Sequence, residues 1–315
     1  MSDKMISPRD AYGAALKRLG AEHPEIVALD ADLSESTRSS KFRDVYPERF
    51  FNAGIAEQNM IGMAAGLAAS GKVAFASTFA VFATGRTYDQ IRQLVARSKL
   101  NVKIVGSHGG ITVGEDGPSH QATEDLALMR ALPNMRVFVP GDAVETERMV
   151  ETALELDGPV YIRTSRVKFP VLFDENYRFK EGKGVIVREG GDITIIACGL
   201  MVSESMKAAA ELEKDGISAR VVNMGSIKPL DRELIVRCAK ETGKILTIEE
   251  HSIFGGLGSA VAEVVAEEHP VHVQRMGLKD EFGVTGDSDA LLCHFCLTAE
   301  HIRENIRRWL KKVED

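Results

Sequence analysis

A chain of 315 residues, 44% hydrophobic and 27% charged, has the size and composition of a folded, water-soluble protein with two domains of ordinary size. Its 39 Lys and Arg against 46 Asp and Glu leave a net charge of −7 with no basic tract, which excludes nucleic acid as an expected partner. The longest apolar run, Ile193 to Val202, is too short to cross a bilayer and Met1-Ser2-Asp3-Lys4 contains no apolar leader core, so no membrane role and a cytoplasmic location are expected.

Apolar runs of strand length alternate with helical patterns along the whole chain, the signature of βα units, so the fold class is α/β with two consecutive parallel-sheet domains, 1–180 and 190–315. In the first domain the runs are Ile26 to Leu29, Val73 to Ala76, Val102 to Val105, Val137 to Val139 and Val160 to Ile162. Open parallel sheets bind ligands at the carboxyl ends of their strands, which directs attention to Asp30-Ala31-Asp32, Ser77-Thr78, Ser107-His108 and Thr164-Ser165-Arg166. Between Lys168 and Gly191 the alternation lapses into proline, acids and glycines and reads as a linker. The second series is Ile193 to Cys198, Ala219 to Asn223, Ile245 to Ile248 and Val271 to Met276. A closing helix over 298–313 sets Ile302, Ile306, Trp309, Leu310 and Val313 on one face.

Three stretches could carry chemistry. Gly54 to Ala68 reads as a helix of small and apolar residues with Glu57 in its first turn, where the dipole favours a carboxylate. Ser107-His108-Gly109-Gly110 and Gly114-Glu115-Asp116-Gly117-Pro118-Ser119-His120-Gln121 put two histidines and two acids on one glycine-rich excursion, and histidine is the usual proton carrier near neutral pH. Phe254-Gly255-Gly256-Leu257-Gly258-Ser259 superficially matches a dinucleotide-binding turn, but Glu249-Glu250-His251-Ser252-Ile253 separates it from its strand and the spacing is wrong. Cys293 and Cys296 supply two of the four ligands a structural zinc needs; they read as packed thiols in a reducing compartment.

Gly54 to Met60 and Gly114 to Gln121, in that order, resemble two signature stretches of the transketolases. The resemblance implies a thiamine diphosphate pyrimidine-binding domain followed by a transketolase C-terminal domain. It assigns Glu57 to a ring nitrogen of the aminopyrimidine, where a carboxylate favours the tautomer whose exocyclic nitrogen can take the C2 proton of the thiazolium. By the same matching Asp32 lies near the pyrimidine and Phe79 and Phe82 flank it. Gly85 stands where a third aromatic is expected, with Tyr88 three residues on. Arg9, Ser36, His108 and Arg166 match the phosphate-binding set for sugar phosphate substrates. Asp116 and His120 match residues that face the substrate hydroxyls and the reacting carbon. Glu57, His108 and His120 are thus the catalytic candidates.

The resemblance covers half of the family's length. The N-terminal half carries a Gly-Asp-Gly motif that holds the metal on the diphosphate, and no Gly-Asp-Gly occurs here. The resemblance therefore implies an N-terminal transketolase subunit as partner, self-association in a two-plus-two assembly, and Mg2+ or Ca2+ held mainly by the partner, with no metal ligand on this chain. The implied reaction is ketol transfer between sugar phosphates. A 1-deoxyxylulose-5-phosphate synthase-like activity, the beta subunit of a 2-oxo-acid dehydrogenase and a non-catalytic scaffolding relative are the open alternatives.

Overall fold

The computed structural model describes residues 4–314, with side chains to Lys311. Its strands are β1 (Met5–Ile6), β2 (Ile26–Asp30), β3 (Phe50–Asn52), β4 (Val73–Phe79), β5 (Val102–Ser107), β6 (Arg136–Phe138), β7 (Val160–Arg163), β8 (Phe169–Pro170), β9 (Val185–Arg188), β10 (Ile193–Ala197), β11 (Ala219–Asn223), β12 (Ser226–Lys228), β13 (Lys244–Ser252) and β14 (His272–Leu278). The first sheet runs β12-β6-β7-β5-β4-β2-β3 and the second β14-β13-β10-β11-β9, while β1 pairs with β8.

The inner strands of the first sheet, β2, β4, β5 and β7, are buried at every position because helices cover both faces. Val27, Leu29, Ala74 and Ala76 point into one core, and Ile26, Ala28, Val73 and Phe75 into the other, the two-residue alternation of a pleated strand. From β2 the chain passes to β3 on one side and then returns to β4 on the other. That reversal opens a crevice above the carboxyl ends of β2 and β4, where such sheets take their ligands.

Both sheets depart from the all-parallel expectation at one edge. β9, inside the segment read as linker, pairs antiparallel with β11, so the second sheet begins before residue 190. Its four residues are only half-buried, and a short run bracketed by glycines gave no strand signal. β12, which follows β11 in the second domain, leaves that sheet and pairs antiparallel with β6 of the first. The last helix, Ala299–Glu314, buries Ile302, Ile306 and Trp309 against the second core with Leu310 beside them; the side chain of Val313 lies outside those described. Cys293 and Cys296 are free and exposed, not packed. They straddle the end of the short helix Ser288–His294, whose inner face is taken by Leu291, Leu292 and Phe295.

Lys103 on β5 is fully buried and its Nζ donates to the carbonyls of Leu156 and Gly158 at 2.6 and 2.8 Å. Burial, with Arg136 nearby, pushes its pKa down to about 7. The unfolded chain holds that proton up to about pH 10.4. Between these values the folded state binds fewer protons, so stability from this group rises with pH and is lost as pH falls through 7. We expect urea midpoints from pH 7 to 10 to rise more for the wild type than for Lys103→Met; parallel slopes would refute this.

Candidate active site

Glu57 opens the helix Glu57–Ala69 but does not face solvent as an ordinary first-turn acid would. It is 5% exposed, and its Oε1 accepts from Arg86 Nη1 at 2.8 Å. Arg86 ends a π-helical turn over Phe82–Arg86, and its guanidinium lies over the Phe82 ring, 3.9 Å from the centroid. Phe82 stacks on Phe79 with centroids 5.8 Å apart and planes 10° from parallel. Phe79 is the last residue of β4, so this buried carboxylate and its two aromatic faces stand at the edge of the crevice.

His108 lies on the other side of Phe79. It follows the end of β5 with φ 59°, a left-handed conformation uncommon for a side chain other than glycine, and this turn brings its ring onto Phe79 at 3.8 Å and 22°. Ser107 Oγ is 2.8 Å from Nδ1, and Arg9 Nη1 is 3.4 Å from Nε2. Arginine can only donate, so Nε2 accepts and Nδ1 carries the proton. Burial first, then Arg9 and Arg166, drive the His108 pKa down to about 3, so the ring is neutral at physiological pH. His120 presents its edge to Phe82 and Phe79, at 5.3 and 6.1 Å, and its Nδ1 lies 2.9 Å from Ser119 Oγ.

Arg9 and Ser36, far apart in sequence, meet here: Arg9 Nη1 donates to the Ser36 carbonyl at 3.0 Å. Arg9 Nε is buried without a hydrogen-bond partner among the described residues. Its pKa is lowered by burial and by Arg38 and Arg166, so cations are crowded at one point. Arg166 follows β7; its Nη1 donates to the Val113 carbonyl at 2.7 Å and faces Asp116 Oδ2 at 3.4 Å. An unpartnered buried donor among crowded guanidinium groups and a neutral imidazole suits a tetrahedral anion.

Asp32 reaches the same sheet edge, also in the left-handed region at φ 64°, but is exposed and bonds Asn52, whose Nδ2 donates to it at 3.0 Å. It touches neither Glu57 nor the phenylalanines by any hydrogen bond or ring contact in the described residues. Gly85 has open space around it and carries no ring, and Tyr88 packs against the core. Arg86 escaped the sequence reading; its signal is a cation four residues after Phe82, one helical turn on. The glycine turn at 254–259 is closed to nucleotides, because the Glu249 carboxylate accepts from the backbone N–H groups of Leu257 and Gly258 at 2.7 and 2.8 Å. Among the described residues no group of three His, Cys, Asp or Glu could hold a metal ion, and no helix is long and apolar enough to cross a membrane.

Two family descriptions match the chain: "Transketolase, pyrimidine binding domain" over residues 4–171 and "Transketolase, C-terminal domain" over 182–302. A chain of Methanocaldococcus jannaschii, named as a transketolase C-terminal section, is 50% identical over 307 residues, 96% of each chain. The 6-deoxy-6-sulfo-D-fructose transketolase subunit of a Clostridium species is 44% identical, over 93% of this chain and 91% of its own. A solved split-gene transketolase, described as an inactive beta4 tetramer, superposes with a TM-score of 0.89 at 53% identity, covering 96% of this chain and 98% of that one. The chain spans about half the length of the mammalian transketolases it matches.

Proposed function

The chain belongs to the transketolase family and is homologous to C-terminal subunits of split transketolases, and from that premise we propose that it provides the pyrimidine and sugar phosphate side of a two-chain ketol-transfer enzyme. An N-terminal subunit completes it, in a two-plus-two assembly in the cytoplasm. The partner holds the diphosphate and its Mg2+ or Ca2+. One observation carries the reading: a buried carboxylate with its phenylalanine faces, and an arginine-flanked neutral histidine, share the single ring of Phe79. Cofactor and substrate sites thereby adjoin.

Thiamine diphosphate, when bound, supplies the electron sink that lets a two-carbon unit leave one sugar and join another. Glu57 holds a proton at the pyrimidine ring nitrogen, once Arg86 yields that oxygen. Phe79 and Phe82 exclude water from the ring, and Asp32 borders it. Arg9, Ser36, His108 and Arg166 bind the phosphate. To donate to a phosphate oxygen, the neutral His108 ring takes its other tautomer, with the proton on Nε2 and Ser107 Oγ donating to Nδ1, while proton transfer at the substrate hydroxyls falls to His120, with Asp116 recognising them.

The test is ketol transfer from xylulose 5-phosphate to ribose 5-phosphate with thiamine diphosphate and magnesium, for this chain alone and with a transketolase N-terminal subunit. Activity in the mixture only is expected; inactivity of a co-eluting pair would overturn the reading. In the active pair, Arg9→Met should raise KM for the phosphorylated donor roughly tenfold to a hundredfold, the worth of a charge-assisted hydrogen bond, and change cofactor affinity little. A sulfonated ketose, of the chemistry one relative's name carries, belongs in the same panel because a sulfonate is also a tetrahedral anion.

A further inference from the structure

Glu249-Glu250-His251, near the carboxyl end of β13 and just before the glycine turn, is buried throughout and lies at the junction of the two domains. Glu249 is occupied by the helix that follows it. Glu250 turns the other way, and its Oε1 accepts the backbone N–H of Thr112 at 2.6 Å. Thr112 lies midway along the glycine-rich loop that carries His108, Asp116 and His120. Gly110, at φ +84°, is what allows the approach, because a Cβ there would collide with the Glu250 carboxyl.

The second domain grips this loop elsewhere as well. Ser288 Oγ donates to the Thr112 carbonyl at 3.1 Å, and Gln121 Nε2 donates to the Val284 carbonyl at 2.9 Å. Ser252 N donates to the Thr123 carbonyl at 2.7 Å. Beneath it, Arg163 Nη2 donates to the carbonyls of Ala122 and Glu250 at 3.0 and 2.8 Å. The residue after Thr112 is Val113, whose carbonyl receives Arg166. A loop with four glycines between 109 and 117 has much backbone freedom to lose, so fixed contacts decide its shape.

We infer that Glu250 is a positioning residue for sugar phosphate recognition: through Thr112 it sets Val113, and through Val113 the guanidinium of Arg166. This rests on the function proposed above. The second domain then acts on substrate binding without touching the cofactor's pyrimidine face.

The test uses the assembled two-chain enzyme with Glu250→Ala and Glu250→Gln. Glu250→Ala should raise KM for the phosphorylated ketose about tenfold or more while the thiamine diphosphate Kd stays within about twofold, and Glu250→Gln, whose amide oxygen can still accept from Thr112, should stay within about threefold of wild type. Hydrogen exchange on the isolated chain supplies a readout independent of turnover, with faster exchange across 109–118 in Glu250→Ala and not in Glu250→Gln. Should Glu250→Ala fail to fold, Glu250→Asp, which withdraws the carboxylate by one methylene, carries the same expectations. An unchanged KM beside an active wild type, or equal losses of cofactor and substrate affinity, would overturn the inference. An inactive wild-type pair would instead overturn the functional reading, and loop exchange alone would then decide the role of Glu250.

Discussion

Glu57→Gln is expected to lower kcat of the assembled enzyme about 10²–10⁴-fold, the usual worth of a positioned proton-transfer group. The substitution is chosen for what it keeps. Glutamine has the same length, and its amide oxygen can still accept from Arg86, so the helix Glu57–Ala69 and its packing should persist. What it loses is the ability to share a proton with a ring nitrogen. Thermal melting should therefore match the wild type while ketol transfer in the two-chain mixture collapses. Full turnover by a folded Glu57→Gln pair would end the assignment of this site to thiamine chemistry.

The second large effect is on stability. Arg163 is 6% exposed, its Nε lies 3.1 Å from Asp125 Oδ2, and Glu250 packs beside it from the other domain. Asp125 Oδ2 also accepts the Tyr161 hydroxyl at 2.7 Å. Replacing Arg163 by Met leaves two buried carboxylates and two carbonyls without their cation, and breaking a buried pair in this way costs about 3–5 kcal/mol. The loss should shrink in acid. Burial already pushes the Glu250 carboxyl up, an effect Arg163 opposes, so without the guanidinium this carboxyl takes up a proton more readily. Urea unfolding at two pH values measures both parts; a loss below about 1 kcal/mol at neutral pH would contradict the argument.

The sequence made the repeating architecture plain because buried parallel strands are continuous apolar runs, and β2, β4, β5, β7, β10 and β11 stand where those runs lie. It could not show β9 or β12. Each is an edge strand of three or four residues whose pairing comes from distant chain, and neither carries a long apolar run. The site divides in the same way. Gly54 to Met60 and Gly114 to Gln121 were legible as contiguous motifs, and Arg9, Ser36, His108 and Arg166 were joined through the family resemblance. The neutral state of His108 was not legible, since it arises from burial and from arginines on other elements. Nor was Arg86, whose partner Glu57 is 29 residues away in the sequence.

The excursion of β12 has a consequence for anyone dividing the protein. A cut at the connection near residue 180 removes Ser226–Lys228 along with the second domain and strips β6 of its outer neighbour. The severed first domain would then present a row of unpaired amides and carbonyls, a template on which further copies can add. Fragments meant to behave in solution should retain both domains, or supply the missing strand as a peptide.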